Sequence, residues 1–378
     1  MAAANSETGA QLLVRLGEKS SLDKLDPALI PPESVPRPGD VVEVYGGSGA
    51  GKTELLLNIT ATCILPPSWE SVNIGGIGTS VVFLDTEQQF SMVRLFTIME
   101  SRVNEALAHR SEGTPDKGSD QHGCSDNQFA HTDHDRDESE WNIEKHGNNA
   151  GDGRDNQREQ HISHNLEGNS KQSLFSPSEE EVESFLKSCL KKLYIVKIVT
   201  SDQLIITLHS LESLLANQCG ISVVLVDTIS AFHWLDKMSG GDSVLHQGAN
   251  QKLAFTALSR LLKDYHLVGF AAKAALVTKR TQSDLDTEHG DDSRTPQSRA
   301  TPSALRFTPR TEHHEFMSKE WTRLVSHRIV LERHDSSAPL MVNGVQAYST
   351  FSAVLSQRTT NKIHMSHFIV TAQGIVHV

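Results

Sequence analysis

The chain has 378 residues, enough for one large domain or two ordinary ones, and its hydrophobic fraction of 37% is low for a chain packed throughout. A formal net charge of −12 excludes a protein that grips nucleic acid through a uniformly basic surface. The four cysteines (Cys63, Cys124, Cys189, Cys219) show neither metal-type nor disulfide-type spacing, no apolar run approaches a membrane span, and Met1–Ser20 lacks a signal-peptide core, which together predict a soluble intracellular protein with no membrane partner.

Residues 1–38 read as an N-terminal docking segment and linker: the amphipathic run Gln11–Leu16 is either a helix packing on the core or a docking segment for a partner subunit, and a Pro-rich linker runs from Pro27 to Pro38. Arg37-Pro38-Gly39-Asp40 turns into a short buried strand, Val41–Val44. There follows Gly46-Gly47-Ser48-Gly49-Ala50-Gly51-Lys52-Thr53, which fits the phosphate-cradling pattern G-x-x-x-x-G-K-[ST] at every fixed position. Its glycines let the backbone bend round an anion with successive N–H groups pointing inward, and the helix that begins there adds a positive dipole end. In that role Lys52 reaches the β- and γ-phosphates, and the Thr53 hydroxyl helps hold Mg²⁺. The helix stops before Pro66-Pro67.

After the Gly75–Gly78 loop, Ser80–Leu84 is a continuous apolar run of the kind buried on both faces in a parallel sheet, ending at Asp85-Thr86-Glu87. A helix is predicted over Ser91–His109, with Met92, Leu95, Phe96, Met99, Val103 and Leu107 on one stripe. Residues 111–175 are compositionally different. They carry 14 Asp/Glu against 6 Lys/Arg with scarcely an aliphatic side chain, so this acidic His/Asn/Asp-rich stretch is expected to be a disordered insertion. Its histidines are irregularly spaced and offer no closed metal-ligand set.

Order is expected to resume at a capping box, Ser178–Glu181, opening a helix through Val182, Phe185, Leu186 and Cys189. Then come the strand Leu193–Ile198, a helix with Asp202 as a candidate cap, and the buried strand Ile221–Val226 ending at Asp227. A helix over Gln247–Tyr265 leads to the strand Leu267–Ala272. Thr278–Ser318 reads as a polar, charge-balanced loop, and strand-like runs at Arg328–Leu331, Ser352–Leu355, His367–Val370 and Gly374–Val376 predict an antiparallel extension. Strands alternating with helices predict an α/β fold whose mostly parallel sheet is flanked by helices.

Ligands of open parallel sheets bind beyond the carboxyl ends of the strands. Such an edge would gather the phosphate loop after Val44, Glu87 after Leu84 and Asp227 after Val226. Asp227 suits the acidic residue that orients Mg²⁺ and its water, and Glu87 suits a group that polarises attacking water; the blander alternatives are a strand-terminal cap for Asp227 and a solvent-facing turn residue for Glu87.

Gly46–Thr53, Phe83–Glu87 and Val226–Ala231 together resemble the core of RecA-type recombinases, and more closely the eukaryotic Rad recombinase paralogues. Shorter runs narrow the resemblance: Lys52-Thr53-Glu54, Cys63–Pro66, Leu211-Glu212-Ser213, Ser230–Trp234, Gly240–Val244 and Phe368-Ile369-Val370. It covers roughly 11–110 and 178–378 and implies a RecA-like P-loop ATPase core over 39–110 and 176–378, binding ATP with Mg²⁺ through Thr53 and Asp227, with Glu87 as the catalytic glutamate. It implies a nuclear factor of homologous recombination, acting at double-strand breaks and stalled forks within a heteromeric complex of Rad paralogues. Single-stranded or branched DNA would be met mainly through that complex, at Asp236–Val244 and Thr278–Ser318. The family's helix-hairpin-helix domain is not expected in this chain.

The sequence also departs from the family. A glutamine that senses the γ-phosphate is replaced around Lys273-Ala274, and Gln88-Gln89-Phe90 stands where active recombinases carry Gly-Thr-Phe-Arg. The DNA-facing loops hold few aromatics, which argues against autonomous single-strand binding. The expected role is therefore an ATP-binding adaptor with at most weak DNA-dependent hydrolysis. A DNA-dependent recombinase motor and a structural subunit with a vestigial phosphate loop are the alternatives.

Overall fold

The computed structural model describes residues 9, 12, 20–112, 177–218, 220–239, 248–278, 312–342, 344–360 and 362–378. The stretch expected as an insertion lies outside them, save for Ser111 and Glu112, which continue the preceding helix; so do most of the N-terminal run and most of the two DNA-facing loops.

Strand β1 (Val41–Gly46) runs into the phosphate loop, and α1 (Lys52–Ile64) begins immediately after Gly51, which adopts φ +87°. The hairpin of β2 (Ser68–Trp69) and β3 (Val72–Asn73), which carries no sequence alternation, precedes β4 (Ser80–Asp85). Helix α2 (Met92–Glu112) and α3 (Glu179–Leu190) follow, then β5 (Leu193–Lys197), α4 (Ser201–Asn217) and β6 (Ile221–Asp227). The short α5 (His233–Ser239), α6 (Ala249–Asp264) and β7 (Val268–Ala274) complete the central part. Beyond lie the small pair β8 (Leu276–Thr278) and β9 (Glu312–His314), α7 (Lys319–Leu324), β10 (His327–Val342), β11 (Val345–Gln357), β12 (Ile363–Thr371) and β13 (Gly374–His377).

Nine strands form one sheet in the order β13-β12-β11-β10-β1-β7-β6-β4-β5. From β10 to β5 every neighbouring pair is parallel, whereas β10 through β13 pair antiparallel. The expected extension is thus present with one adjustment: its first strand joins β1 in parallel, so β10 belongs to both parts of the sheet. Alternate strand residues face opposite layers. Val42, Val44, Phe83, Leu225, Phe270 and Leu331 pack with α1, α2 and α3, while Val41, Val82, Val224 and Ala271 pack with α4, α6 and α7.

Helix α1 is buried from Leu55 to Ile64, as an apolar helix enclosed on all sides should be. On α2 the buried stripe is Leu95, Ile98, Met99 and Val103; Met92, assigned to it from spacing, is exposed. The capping box forms at Ser178 and Glu181. The cap of α4, however, is Thr200, whose side chain accepts from Gln203 N at 3.1 Å, while Asp202 stands in the first turn and accepts from Asn250 Nδ2 at 3.0 Å. The Pro-rich stretch expected as a linker lies against the core. Leu29 and Ile30 are buried there, as are Leu22 and Leu25 just before it, and His377 pairs with the preceding Asp26 at 3.0 Å. Each such leucine contributes roughly 1.5–3 kcal/mol by leaving water, which a loose linker would forgo.

Candidate nucleotide-binding site

The parallel strands end level with one another. Gly46 pairs with Ala274 on one side and Leu331 on the other, and Asp85 pairs with Asp227. The chosen residues therefore meet at one edge. Gly46 has no room for a side chain, since a Cβ would lie 2.8 Å from the Leu331 carbonyl oxygen; Gly49 and Gly51 adopt φ +73° and +87°, which only glycine takes without strain. Gly47 lies half-buried between Gly46 and Ser48, Ala50 N donates back to Gly47 O at 3.3 Å, and Ser48 and Gly49 are exposed at the crest. Ala50 is buried beneath it.

Lys52 Nζ donates to Gly46 O at 3.1 Å and Gly47 O at 2.8 Å, folding the ammonium back over the loop. Burial lowers its pKa, against the opposing pull of Asp227 and Glu87. Thr53 Oγ1 donates to Asp227 Oδ2 at 2.7 Å. The other oxygen, Asp227 Oδ1, is buried without a hydrogen-bond partner among the described residues. Burial pushes the Asp227 pKa up to about 6; the Thr53 hydroxyl moderates this and the Glu87 and Asp85 carboxylates add to it.

A buried carboxylate oxygen with no partner, beside a hydroxyl, is a donor set that suits a hard cation. Among the described residues no group of three or more His, Cys, Asp or Glu could hold a metal alone. That agrees with Mg²⁺ held through one or two protein oxygens plus nucleotide phosphates and water, and the residues present fit ATP with Mg²⁺.

Glu87 is exposed at the tip of β4, where Thr228 Oγ1 donates to its Oε1 at 3.0 Å and Thr86 Oγ1 donates to Thr228 O at 2.7 Å. In the sequence, Thr228 reads only as a member of the run Val226–Ala231, with no role of its own. The run Gln88-Gln89-Phe90 makes a tight turn instead of extending over the site. Asp85 accepts from Gln89 N at 3.1 Å and Phe90 N at 3.3 Å, and Phe90 packs edge-on against Phe83.

Lys273 does not face the nucleotide edge. Its side chain is fully buried on the opposite face of the sheet, with Nζ 3.2 Å from Glu43 Oε1 and bonded to Glu315. Arg328 pairs with both Glu43 and Glu315, and Trp321 Nε1 donates to Glu43 at 2.6 Å. The Lys273 ammonium also lies 5.2 Å from the ring centres of Tyr45 and Phe316. Burial alone would raise the Glu315 pKa, but Lys273, the Met317 N–H and Arg328 together bring it below its ordinary value. None of this four-charge network was visible in the sequence. Glu43 read as a strand residue, and its partners lie far along the chain.

The flanks of the two loops expected to face DNA do meet. His233 and Trp234 lie 4.8 and 5.8 Å from Phe316 between ring centres, and Lys237 Nζ sits 5.3 Å from the Trp234 ring centre. Among the described residues, His233 and Trp234 before the first loop thus gather with Phe316 near the end of the second. Asp236, assigned to the first loop, instead accepts from Ser201 Oγ at 2.7 Å. A cavity of about 970 Å³ lies at the other edge of the sheet, among Asp40, Lys263, Arg323 and Arg358, and includes none of the phosphate-loop residues. It has no convergent chemistry to rival the loop.

No protein-family model matches the chain. It is 29% identical to mouse DNA repair protein XRCC2 over 370 residues, spanning 98% of this chain and 96% of that protein. It is 27% identical to the DNA repair protein XRCC2 homolog of Arabidopsis thaliana over 347 residues, spanning 86% of this chain and 77% of the relative. A 64-residue stretch, 17% of this chain and 15% of the relative, is 39% identical to human DNA repair protein RAD51 homolog 2. With its mostly parallel sheet and C-terminal antiparallel strands, the chain is thus similar to the XRCC2 DNA repair proteins over most of its length and, over a short stretch, to DNA repair protein RAD51 homolog 2.

Proposed function

We propose that this protein is an ATP-binding adaptor subunit in homologous-recombination repair, working in the nucleus within a heteromeric complex of RAD51-family paralogues. The observation that carries the reading is the pairing of a complete phosphate site with a displaced sensor. Lys52, Thr53, Asp227 and Glu87 converge at one edge, while Lys273 is locked into an ion network on the opposite face of the sheet.

Bound at the loop, ATP would lie against the N–H groups of Gly46–Thr53, with Lys52 turning from the Gly46 and Gly47 carbonyls to the phosphates. Thr53 and Asp227 would hold Mg²⁺, whose charge neutralises the polyphosphate. Glu87, fixed by Thr228, stands where it can orient a water. With Lys273 engaged elsewhere, no side chain at that position links the loop beyond β7 to the terminal phosphate, so nucleotide binding is separated from any response to DNA. The complete Glu87–Thr228 pair favours a second reading, a DNA-dependent ATPase motor.

Affinity purification of the tagged protein from its native cells tests the assignment. We expect RAD51-family paralogues and bound adenine nucleotide to co-purify, with DNA retained through the complex. Recovery of a single chain free of both would refute it.

A further inference from the structure

Strand β10 runs parallel to β1 but continues past its end. Leu331 pairs with Gly46, the last residue of β1, so Arg333 projects beyond the strand tip on the same face as Leu331. That face carries the phosphate loop and α1. The hairpin approaches the loop at two points on one rung, because Arg333 pairs with Phe351 across β10 and β11. A Cβ on Gly49 would lie 3.7 Å from Arg333 Nη1, and one on Gly51 would lie 3.5 Å from the Phe351 ring.

This is an awkward place for a cation. The loop's inward N–H groups, the N-terminus of α1 and Lys52 already make the local potential positive. Asp335 supplies the compensating charge. Arg333 Nε donates to its Oδ1 at 2.7 Å, and Ser349 Oγ donates to the same oxygen at 2.6 Å. The two terminal guanidinium nitrogens have no hydrogen-bond partner among the described residues, and the side chain is 47% exposed. A surface ion pair of this kind adds little stability, so stabilising the hairpin is a weak reason for its presence.

We propose that Arg333 is a second cation for the polyphosphate of a nucleotide held at Gly46–Thr53, and that Asp335 is the anion that occupies it when no nucleotide is bound. The inference rests on the nucleotide-binding reading above. A guanidinium offers a planar fork to phosphate oxygens, and one of its free nitrogens, Nη1, lies beside Gly49 of the loop. Exchange of Asp335 for phosphate keeps the arginine paired in both states, so Asp335 competes with the ligand. The hairpin thereby becomes part of the nucleotide site.

The test is titration of Mg²⁺-ATP and Mg²⁺-ADP into the purified full chain by calorimetry, comparing wild type with Arg333→Ala, Arg333→Lys, Asp335→Asn and Lys52→Ala. Arg333→Ala should weaken ATP binding by about tenfold or more, as loss of a charge-assisted phosphate contact does. Arg333→Lys should recover part of that loss, and ATP should bind with a shallower salt dependence in Arg333→Ala. Asp335→Asn should tighten binding several-fold. A purely structural role for the pair would make both Arg333→Ala and Asp335→Asn weaken binding, or neither change it, and either result overturns the proposal while the nucleotide reading stands. Wild type that binds no nucleotide would overturn both.

Discussion

Asp227 is held under opposed demands. Its carboxyl is buried against Glu87 and Asp85, which raises its pKa from the ordinary 3.8 to about 6. The folded protein thus holds this proton at a pH where the unfolded chain has released it. That stabilisation is complete below the unfolded value and is lost as the pH rises through about 6, so near neutrality the ionised group weighs against the fold. Asn at this position keeps an oxygen for the Thr53 hydroxyl and removes the charge. Asp227→Asn should therefore be more stable than wild type at pH 7.5 without nucleotide, by about 1–3 kcal/mol, with the gap closing toward pH 4. Denaturant unfolding across that range measures it; equal stability at every pH would contradict the account. Such a stability gain at the expense of Mg²⁺-dependent binding marks a site kept for its ligand. The meeting of Lys52, Thr53, Asp227 and Glu87 at one edge was legible in the sequence, because the phosphate-loop pattern and both acidic residues stand at the carboxyl ends of apolar strands in a parallel sheet. The fate of Lys273 was only half legible. Its place in the chain marked a replacement, but the direction of its side chain depended on strand parity, and its partner Glu315 lies 42 residues further on.

At the level of elements, that lysine ties three strands and a helix together. Glu43 is on β1, Lys273 on β7, Arg328 on β10, and Trp321 on α7 bonds the same carboxylate. Both Glu43 and Lys273 are wholly buried. Removing one partner strands the other charge, so Lys273→Met should cost about 3–5 kcal/mol, read from chemical denaturation, even though methionine fills similar space. A loss below about 1 kcal/mol would show that Arg328 alone suffices. Elements with strong local signals were legible: the apolar runs of β4 and β6, and the capping box of α3, formed by Ser178 and Glu181. The cap of α4 was not, because Thr200 and Asp202 are both competent and the nearby Asn250 engages the aspartate. The long β10–β11 hairpin was visible only at its base. Beyond Leu331, β10 is exposed on both faces nearly to its end, so no alternation marks it.

For the whole molecule, fold and phosphate site agree, and features around the site favour the proposed adaptor over a motor. The turn after Glu87 is closed down by Asp85, the sensor position is committed to the opposite face, and the overall charge is −12. The aromatic group of His233, Trp234 and Phe316 brings the ends of the two candidate DNA loops together without any contact to the phosphate loop among the described residues. These features are the ones the proposed ATP-binding adaptor role calls for. The most direct test measures Mg²⁺-ATP binding and steady-state hydrolysis on the same preparation, with and without single-stranded DNA, for wild type and Lys52→Ala. The account predicts stoichiometric binding that Lys52→Ala abolishes, and a hydrolysis rate that DNA leaves unchanged. Hydrolysis stimulated many-fold by DNA, or no binding by the wild-type chain, would contradict it.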